Sequence, residues 1–360
     1  MYHQDAIRGR GTGWNPANRF EGRQYEPDGD ALDELGAELG EERRPGTVLL
    51  DDNSQSILSE NDSPDVGFRF AVNPYRGCEH GCVYCYARPT HEYFGYSAGL
   101  DFETKIFVKR RAPALLREAL ASSKWQPQLI AFSGVTDPYQ PVERELKLTR
   151  QCLEVLLEYR NPVGIVTKNR LVARDADVLA ALAEYGCAGV YVSVTTLDLG
   201  LNRILEPRTS APAQRLETIA RLRDAGVPVG VLVAPVIPAV NDHEIPEILK
   251  ACADAGAQFA STIMLRLPYA VAPLFEHWLD AHFPDRKEKV LNRVRAMRGG
   301  QLNRSEFGAR MRGEGVFADQ TRTLFEVACR KHGLRRGGPP ACTEHFRRPG
   351  VDQLDLFRAV

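Results

Sequence analysis

The stretch Asn73-Pro-Tyr-Arg-Gly-Cys78-Glu-His-Gly-Cys82-Val-Tyr-Cys85-Tyr-Ala contains three cysteines in a C-x3-C-x2-C spacing. Four cysteine thiolates complete an ordinary 4Fe–4S cluster. Three thiolates leave one iron atom without a protein ligand, so this iron can bind a substrate or cofactor. Gly77 and Gly81 are typical of a tight loop rather than of a helix or strand interior. The stretch therefore predicts a loop that holds an open iron–sulfur cluster.

A zinc site and unrelated core cysteines are the alternative explanations of the triplet. Structural zinc usually takes four protein ligands, in pairs joined by loops. The nearby candidate for a fourth ligand, His80, is only two residues from Cys78, which is too close for an easy tetrahedral site. The spacing therefore favours the cluster.

The chain has 360 residues, enough for one large barrel-like domain or two average domains. No run approaches about 18 apolar residues, and the N-terminus has no apolar signal region. We therefore expect a cytoplasmic protein without a membrane segment. Cys152, Cys187, Cys252 and Cys329 have helical or apolar neighbours that favour buried free thiols, whereas Cys342 remains unassigned.

Two oppositely charged blocks lie behind the net charge of −1. Residues 26–65 contain 13 acidic residues against two arginines, a net charge of −11. Residues 286–348 contain 16 Lys or Arg against six Asp or Glu, a net charge of +10. Such a basic block can neutralise several phosphates of DNA, although a solvated helical surface is the plainer explanation.

The organisation of the chain predicts an α/β fold, a partial (β/α)6 TIM-like barrel with additions at both ends. Residues 1–65 are rich in Gly, Asp and Glu and predict a largely irregular, extended N-terminal arm with a short helix over Asp30–Glu42. From Phe68 onward, short apolar runs alternate with helical patterns, as in βα repeats around a parallel sheet. We place the barrel at 66–270, a basic helical appendage at 271–348 and a C-terminal tail at 349–360.

Six βα units account for three quarters of an eight-unit barrel. The predicted strands are Phe70–Asn73, Leu129–Ser133, Val163–Thr167, Gly189–Val194, Val227–Val233 and Gln258–Met264. The predicted helices are Pro113–Ser122, Glu143–Tyr159, Ala173–Tyr185, Ala213–Ala225 and Asp242–Ala255. Gly186, Gly226 and Gly256 each follow a predicted helix, where a left-handed residue often ends it.

The candidate site residues follow the predicted strands, because the chemistry of a parallel barrel lies at the carboxyl ends of its strands. The cysteine loop follows the first strand, and Arg266 follows the sixth. Turn formation is the alternative role of Asp137, since Asp before Pro is a good turn former. For Lys168 the alternative is a side chain that is simply solvated at the end of its strand. The candidates after the second, third and fourth strands are Ser133, Gly134, Thr136, Asp137, Lys168, Ser193 and Thr195.

With an aromatic residue, Tyr84, before the third cysteine, the motif resembles the radical S-adenosylmethionine (SAM) superfamily. The resemblance implies that the open iron chelates the amino and carboxylate groups of SAM, whose reductive cleavage yields a 5′-deoxyadenosyl radical. It also implies an electron donor such as flavodoxin or ferredoxin. On this basis Tyr84 and the strand-end candidates are expected to bind the cofactor, those of the second strand at its amino group.

A narrower resemblance rests on residues 73–86, on Thr136-Asp-Pro-Tyr-Gln-Pro-Val-Glu143 and on Thr167-Lys168. These stretches are similar to the spore photoproduct lyase-like branch, also called DNA repair photolyases, and the likeness extends over about 68–266. Spore photoproduct lyase reverses a thymine dimer by hydrogen abstraction and returns a hydrogen atom through a donor cysteine and tyrosines.

The hydrogen donor is where the chain departs from that branch. Tyr84 and Tyr86 match the two tyrosines, but no cysteine occurs between Cys85 and Cys152, where the donor is expected. We therefore consider a relay of Tyr84, Tyr86 and Cys342, in which the glycines before Cys342 let its segment fold over the barrel opening. A thiol without a role is the alternative for Cys342.

The C-terminal stretch Gln353-Leu354-Asp355-Leu356-Phe357 matches the pentapeptide by which bacterial repair proteins and polymerases dock on the replication sliding clamp. Its aliphatic and aromatic side chains are suitable anchors for an apolar pocket. The alternative is a tail that folds back onto the barrel.

Three functions remain open from the sequence. The first is a radical enzyme that repairs or modifies DNA. The second is radical modification of RNA or of a protein or peptide. The third is a non-catalytic adaptor that holds a cluster for stability, against which the missing fourth cysteine argues.

Overall fold

A computed structural model of the chain describes residue 7 and residues 9–22 and 45–349. Six parallel strands, β3 and β6–β10, follow each other through one sheet in chain order. The strands of the described residues are β1 (Val48–Asp51), β2 (Leu58–Glu60), β3 (Phe70–Val72), β4 (Tyr75–Arg76), β5 (Lys105–Val108), β6 (Ile130–Phe132), β7 (Val163–Thr167), β8 (Ala188–Ser193), β9 (Val229–Val236), β10 (Phe259–Met264) and β11 (Arg335–Arg336).

Helices connect these strands and cover the outside of the sheet. The predicted partial barrel is therefore confirmed. The α-helices of the described residues are α1 (Leu100–Thr104), α2 (Ala112–Ala121), α3 (Glu143–Leu146), α4 (Leu148–Tyr159), α5 (Ala176–Ala183), α6 (Leu199–Leu205), α7 (Pro212–Asp224), α8 (Ile245–Asp254), α9 (Val271–His282), α10 (Lys287–Ala296), α11 (Ala309–Arg312) and α12 (Val316–Lys331).

The core lies between the sheet and this helical layer. Val190 and Val192 of β8 and Val229 and Val231 of β9 are at most 1% exposed. Parallel strands covered on both faces favour such β-branched residues. The three glycines after α5, α7 and α8 have φ of +65°, +79° and +104°, as a left-handed helix end requires.

The sheet is wider than the six predicted strands. Strand β2 pairs antiparallel with β3, and β11 pairs parallel with β10. Residues 45–65 contain two short strands that the sequence does not predict, and the backbone groups of β1 and β2 bond to β5 and β3. The predicted helix Asp30–Glu42 and the stretch Gln353–Phe357 lie outside the described residues.

The appendage packs on the side of the barrel where the cysteine loop lies. Helices α9 and α10 share an apolar cluster with Val83 and Tyr84 of that loop. Arg298, after α10, is 1% exposed and donates hydrogen bonds to the carbonyls of Leu265 and Met264 at the end of β10. The appendage is thus fixed to the carboxyl end of the barrel.

Residues 337–349 lie at the opposite, amino-terminal edge of the sheet, which corrects the expected position of Cys342. Its amide donates to the carbonyl of Gly186 at 3.1 Å, and its own carbonyl accepts a bond from Cys187 at 3.3 Å, just before β8 begins. The length of a strand, roughly 20 Å, separates this edge from the cysteine loop. Cys342 therefore does not reach the barrel opening, and the predicted relay through it is wrong.

The basic block 286–348, which the sequence suggests as a source of phosphate contacts, does not form one surface. Its last part lies with Cys342 at the amino edge, where the guanidinium groups of Arg347 and Arg348 donate to backbone carbonyls. Basic residues of the block that pair with carboxylates are Lys287, Arg293, Arg304, Arg310, Arg322 and Arg336.

No described helix is both long and apolar enough to span a bilayer.

Candidate active site

The cysteine loop follows β3 and turns sharply at two glycines. Gly77 and Gly81 have φ of +77° and +68°, a conformation that side chains disfavour. A Cβ atom at Gly81 would lie 2.8 Å from an oxygen of Glu103. The amide of Cys78 donates to the carbonyl of Phe102 at 2.9 Å. These contacts determine where the three cysteines lie.

A buried ion pair supports the loop from within the protein. Arg88 and Glu103 are fully buried, and their side chains meet at 2.5 Å. The Nε atom of Arg88 donates to the carbonyl of Cys82 at 2.9 Å, and Nη1 donates to the carbonyl of Gly99 at the same distance. The second oxygen of Glu103 accepts the amide of Gly11 at 2.9 Å, which ties the N-terminal segment 9–22 to the loop.

The three thiols fit a cluster better than a single metal ion. Cys78 and Cys82 are buried and Cys85 is partly exposed, and all three are free. Burial, and then the neighbouring Cys78, raise the pKa of Cys85 to about 11. Within 9–22 and 45–349, no three His, Cys, Asp or Glu side chains are arranged to hold a metal ion. A 4Fe–4S cluster binds each thiolate through a different iron atom, so its ligands need not converge on one point.

Thr136 and Asp137 hold the loop through internal contacts that the sequence does not predict, and their expected contact with the cofactor stays a prediction. The hydroxyl of Thr136 donates to the carbonyl of Gly77 at 2.6 Å. Asp137 accepts from Thr167 at 2.7 Å and from the Lys168 amide at 2.8 Å. It also accepts the Tyr139 amide at 2.8 Å and lies 3.3 Å from Nδ1 of His80. These four contacts use the acceptor sites of a carboxylate.

The pKa values of His80 and Asp137 show how strongly these two residues are coupled. Burial alone would lower the pKa of His80, but the Asp137 carboxylate, and after it Cys78, raise it to about 10. Burial alone would raise the pKa of Asp137, but His80 lowers it below its ordinary value. The pair links the cysteine loop to the end of β7.

A second buried carboxylate, Glu206, joins the other predicted residues. It accepts hydrogen bonds from the Tyr84 phenol and, at 2.6 Å, from the Thr195 hydroxyl. Nζ of Lys168 lies 3.3 Å from Glu206 and donates to Ser193 at 2.8 Å. The structure thus brings Tyr84, Lys168, Ser193 and Thr195 into one network, as the sequence predicts from their strand ends. The Lys168 side chain keeps 15% of its surface exposed.

Sequence reasoning missed Glu206 and its second partner, the fully buried Arg215. Arg215 binds the other oxygen of Glu206 and donates to the Ser193 carbonyl at 2.9 Å. Burial alone would raise the pKa of Glu206, but Arg215 and Lys168 hold it well below its ordinary value. Glu206 directly follows α6 and belongs to no sequence motif, so no local signal identifies it.

The mouth of the site is formed by Tyr86, Ser133, Gly134 and Arg266, at the carboxyl ends of β3, β6 and β10. Tyr86 is 45% exposed, and its phenol donates to the Gly134 carbonyl at 2.8 Å. Ser133 has φ of +118°, a rare conformation for a residue with a side chain and one that often marks functional sites. The guanidinium of Arg266 lies 4.3 Å from the centre of the Tyr86 ring.

We expect Glu206→Gln to lower the free energy of unfolding by about 3–5 kcal/mol, because Arg215 and Lys168 would keep buried charges without a counter-charge. Since the pKa of Glu206 is lowered, its contribution is present above the ordinary pKa of glutamate and is lost only as the pH falls through the lowered value. Urea denaturation at pH 7 measures the loss. Glu217→Gln, an exposed change on α7, is the matched control. Equal stability of the two variants would contradict the assigned role of Glu206.

Comparison with solved structures shows the same fold elsewhere. Spore photoproduct lyase complexed with dinucleoside spore photoproduct superimposes with a TM-score of 0.58 at 17% sequence identity, covering 80% of this chain and 81% of the lyase chain. At this identity the likeness concerns the fold alone.

Sequence comparison identifies relatives and the family. An uncharacterized protein of Mycobacterium tuberculosis H37Rv is 37% identical over 220 residues, which cover 61% of this chain and 65% of the relative. The radical SAM Nα-GlyT isomerase of Pseudomonas phage M6 is 26% identical over 224 residues, covering 61% of this chain and 44% of the isomerase. Residues 72–252, just over half of the chain and including all three cysteines and the Lys168–Glu206 pair, match the radical SAM superfamily. The chain therefore belongs to the radical SAM superfamily.

Proposed function

We propose that this protein is a radical SAM enzyme that acts on a base or lesion in DNA, as DNA repair photolyases do. Membership in the superfamily implies a 4Fe–4S cluster and SAM. Arg266 is the observation that carries the choice of a nucleic-acid substrate. Its charged side chain lies at the mouth of the site, and no described residue accepts a hydrogen bond from it.

Arg266 is held in place without being neutralised. It is partly buried and stacks on Tyr86, and no described residue accepts a hydrogen bond from its guanidinium. Burial lowers its pKa, and the charge of Arg310 acts in the same direction. Arg310 itself is paired with Asp65 at 2.6 Å, whereas Arg266 has no carboxylate partner among the described residues. A guanidinium matches the two oxygens of a phosphate, which it binds through paired hydrogen bonds.

When bound, the cluster and SAM would supply the radical chemistry, the removal of a hydrogen atom from the substrate. The chain has to position them and exclude water. We assign the cluster to Cys78, Cys82 and Cys85, and the amino group of SAM to the backbone of Ser133 and Gly134. We assign the carboxylate and the ribose of SAM to the network of Lys168, Ser193 and Thr195. Glu206 is paired with both Arg215 and Lys168, so one positive charge remains beside the loop.

Tyr86 is the part of the predicted hydrogen relay that the geometry supports. Its phenol is exposed at the mouth and is oriented by the Gly134 carbonyl. Tyr84 is 7% exposed and its hydroxyl bonds to Glu206, so it is better placed to hold the loop than to meet a substrate. We therefore propose Tyr86, and not Cys342, as the residue that exchanges a hydrogen atom with the product.

One similar solved structure agrees with a nucleic-acid substrate as far as its description goes, whereas the name of the phage relative does not state that class of substrate. The spore photoproduct lyase structure contains a dinucleoside, and the phage protein is named as an isomerase that uses radical SAM chemistry. The chain spans 65% of the length of its mycobacterial relative, so the activity of that whole protein is not transferred.

Cluster assembly should require all three thiolates, because each binds a different iron atom. We expect Cys78→Ala, Cys82→Ala and Cys85→Ala to lose the brown chromophore, most of the bound iron and the cleavage of SAM to 5′-deoxyadenosine. Iron and sulfide analysis after anaerobic reconstitution, with mass spectrometry of the nucleoside, measures this. Cys342→Ala, at the far edge of the sheet, should behave as the parent protein does. Full iron content and cleavage in any one loop variant would refute the assignment.

Arg266→Gln should weaken DNA binding by about 10- to 150-fold, since a hydrogen bond to a charged group contributes about 1.5–3 kcal/mol. The slope of log affinity against log salt should also become shallower by about 1, because one phosphate contact is lost. Fluorescence anisotropy at several salt concentrations measures both. Arg322→Gln, on α12, is the matched control because its charge is already paired with Asp319.

Unchanged affinity and salt slope in Arg266→Gln would show that this residue does not hold a phosphate. If the parent protein binds neither DNA nor RNA at low salt, the substrate is not a nucleic acid and a peptide becomes the better candidate. Tighter binding of RNA than of DNA of the same sequence would favour RNA modification.

Two partners complete the proposal. Reduction of the cluster needs an external electron donor, for which flavodoxin or ferredoxin is suitable. The stretch Gln353–Phe357 is proposed to dock on a sliding clamp through its leucines and phenylalanine, which would bring the enzyme to replicating DNA.

Replacing Leu356 and Phe357 with Ala should abolish clamp binding, because these side chains supply the apolar anchors. Cleavage of SAM should remain unchanged, since the stretch is separate in sequence from the cysteine loop. Surface plasmon resonance on immobilised clamp, with Val360→Ala as control, tests this. Equal binding by the parent and the double variant would rule the motif out.

A further inference from the structure

Three aromatic rings are exposed together on the carboxyl side of the barrel. Phe20, Tyr93 and Tyr269 are 57%, 69% and 64% exposed. They come from the N-terminal segment, from the 3₁₀ turn after the cysteine loop and from the segment after β10. Single exposed rings are common on proteins, but a group assembled from three separate segments is a defined surface. We call it the aromatic platform.

Arg19 organises the aromatic platform. Its guanidinium carbon lies 3.8 Å from the ring centre of Tyr269, 4.8 Å from that of Phe20 and 6.0 Å from that of Tyr93. The rings of Phe20 and Tyr93 are themselves 4.9 Å apart. Glu92, whose side chain is fully buried, binds Nε of Arg19 at 2.6 Å. The guanidinium is therefore held in one position from below while the rings stay open to solvent.

Tyr269 has a strained backbone conformation and an exposed ring. Its φ of +49° is unusual for a bulky residue, for which the left-handed region is unfavourable. The ring is mostly exposed and stacks on Arg19. Backbone strain of this kind is often found where a ligand is bound.

The aromatic platform is built on the same chain segments as the site. Tyr269 is three residues beyond Arg266, which stacks on Tyr86 beside Cys85. Tyr93 belongs to the turn that begins with Arg88, the residue that supports the loop carbonyl of Cys82. A ligand that places a phosphate on Arg266 can therefore extend onto the aromatic platform.

We propose that the aromatic platform binds unpaired nucleotides next to the reacting base, so that the substrate is single-stranded or locally opened nucleic acid. This inference rests on the proposed function and narrows it. Base stacking on aromatic rings, helped by arginine, is how proteins hold single strands without reading their sequence. In a duplex the base faces are covered by their neighbours, and an enzyme that reacts at a base has to expose it.

The test compares oligothymidylate with a duplex of the same length, by fluorescence anisotropy with the anaerobically reconstituted full chain. Tyr269→Ala and Tyr93→Ala should each weaken single-strand binding by about 5- to 150-fold, the range of one lost stacked base. The salt slope should stay unchanged, because stacking releases no counterions. Tyr269→Trp should bind as the parent does, since it keeps a ring in place.

Tyr185→Ala is the matched control. Tyr185 also carries a guanidinium over its ring, that of Arg160 at 4.2 Å, but it lies at the amino edge of the sheet near residue 345. Its variant should keep parental affinity for the single strand. Thermal unfolding of all variants verifies that a loss of binding is not a loss of folding.

The possible failures are distinguishable. If the parent binds the single strand and both platform variants bind it equally well, the aromatic platform is not a nucleotide site, while the proposed function stands. If the variants lose duplex and single-strand binding to the same extent, the preference for unpaired nucleotides is wrong. If the parent binds no oligonucleotide at low salt, the proposed function fails and this inference with it.

Discussion

The buried Arg88–Glu103 ion pair is the interaction on which the arrangement of the site depends. A loop that carries three cysteines has few backbone partners of its own, so other groups have to satisfy its carbonyls. Arg88 binds the Cys82 carbonyl, and Glu103 binds both Arg88 and the amide of Gly11. One charge pair thereby connects the loop, helix α1 and the N-terminal segment. Removing either partner would leave a buried charge, which is among the most destabilising changes a protein can undergo.

Two further carboxylates extend this principle around the loop. Asp137 fixes His80 to the end of β7, and Glu206 fixes Tyr84 to Lys168 and Arg215. Each of these buried acids is paired with at least one cation, and Glu206 with two. Arg266 has no carboxylate partner among the described residues and stacks on Tyr86 at the mouth of the site. The contrast between the paired charges below the loop and the described surroundings of Arg266 is the physical reason for which we propose an anionic substrate.

Prediction from the sequence succeeded where the signal is local. Apolar runs indicated β3 and β6–β10. The predicted ends of these strands differ from the observed ends by no more than three residues. Lys168, Ser193 and Thr195 were expected to lie together because strand ends meet at one edge of a sheet, and the fold brings them into one network. The sequence assigned Asp137 to cofactor binding. In the structure its carboxylate contacts Tyr139, Thr167, Lys168 and His80, and only the fold shows these contacts. Glu206 was missed because its partners are distant in sequence.

The sequence by itself determined the cluster loop and the barrel, because cysteine spacing and hydrophobic periodicity are set by neighbouring residues. Only the tertiary structure decided that β2 and β11 widen the sheet and that Cys342 lies at its amino edge. It also decided that the basic block is divided and that Phe20, Tyr93 and Tyr269 share one surface. These features depend on contacts between segments tens to hundreds of residues apart, and no local pattern encodes which distant segment a flexible chain will meet.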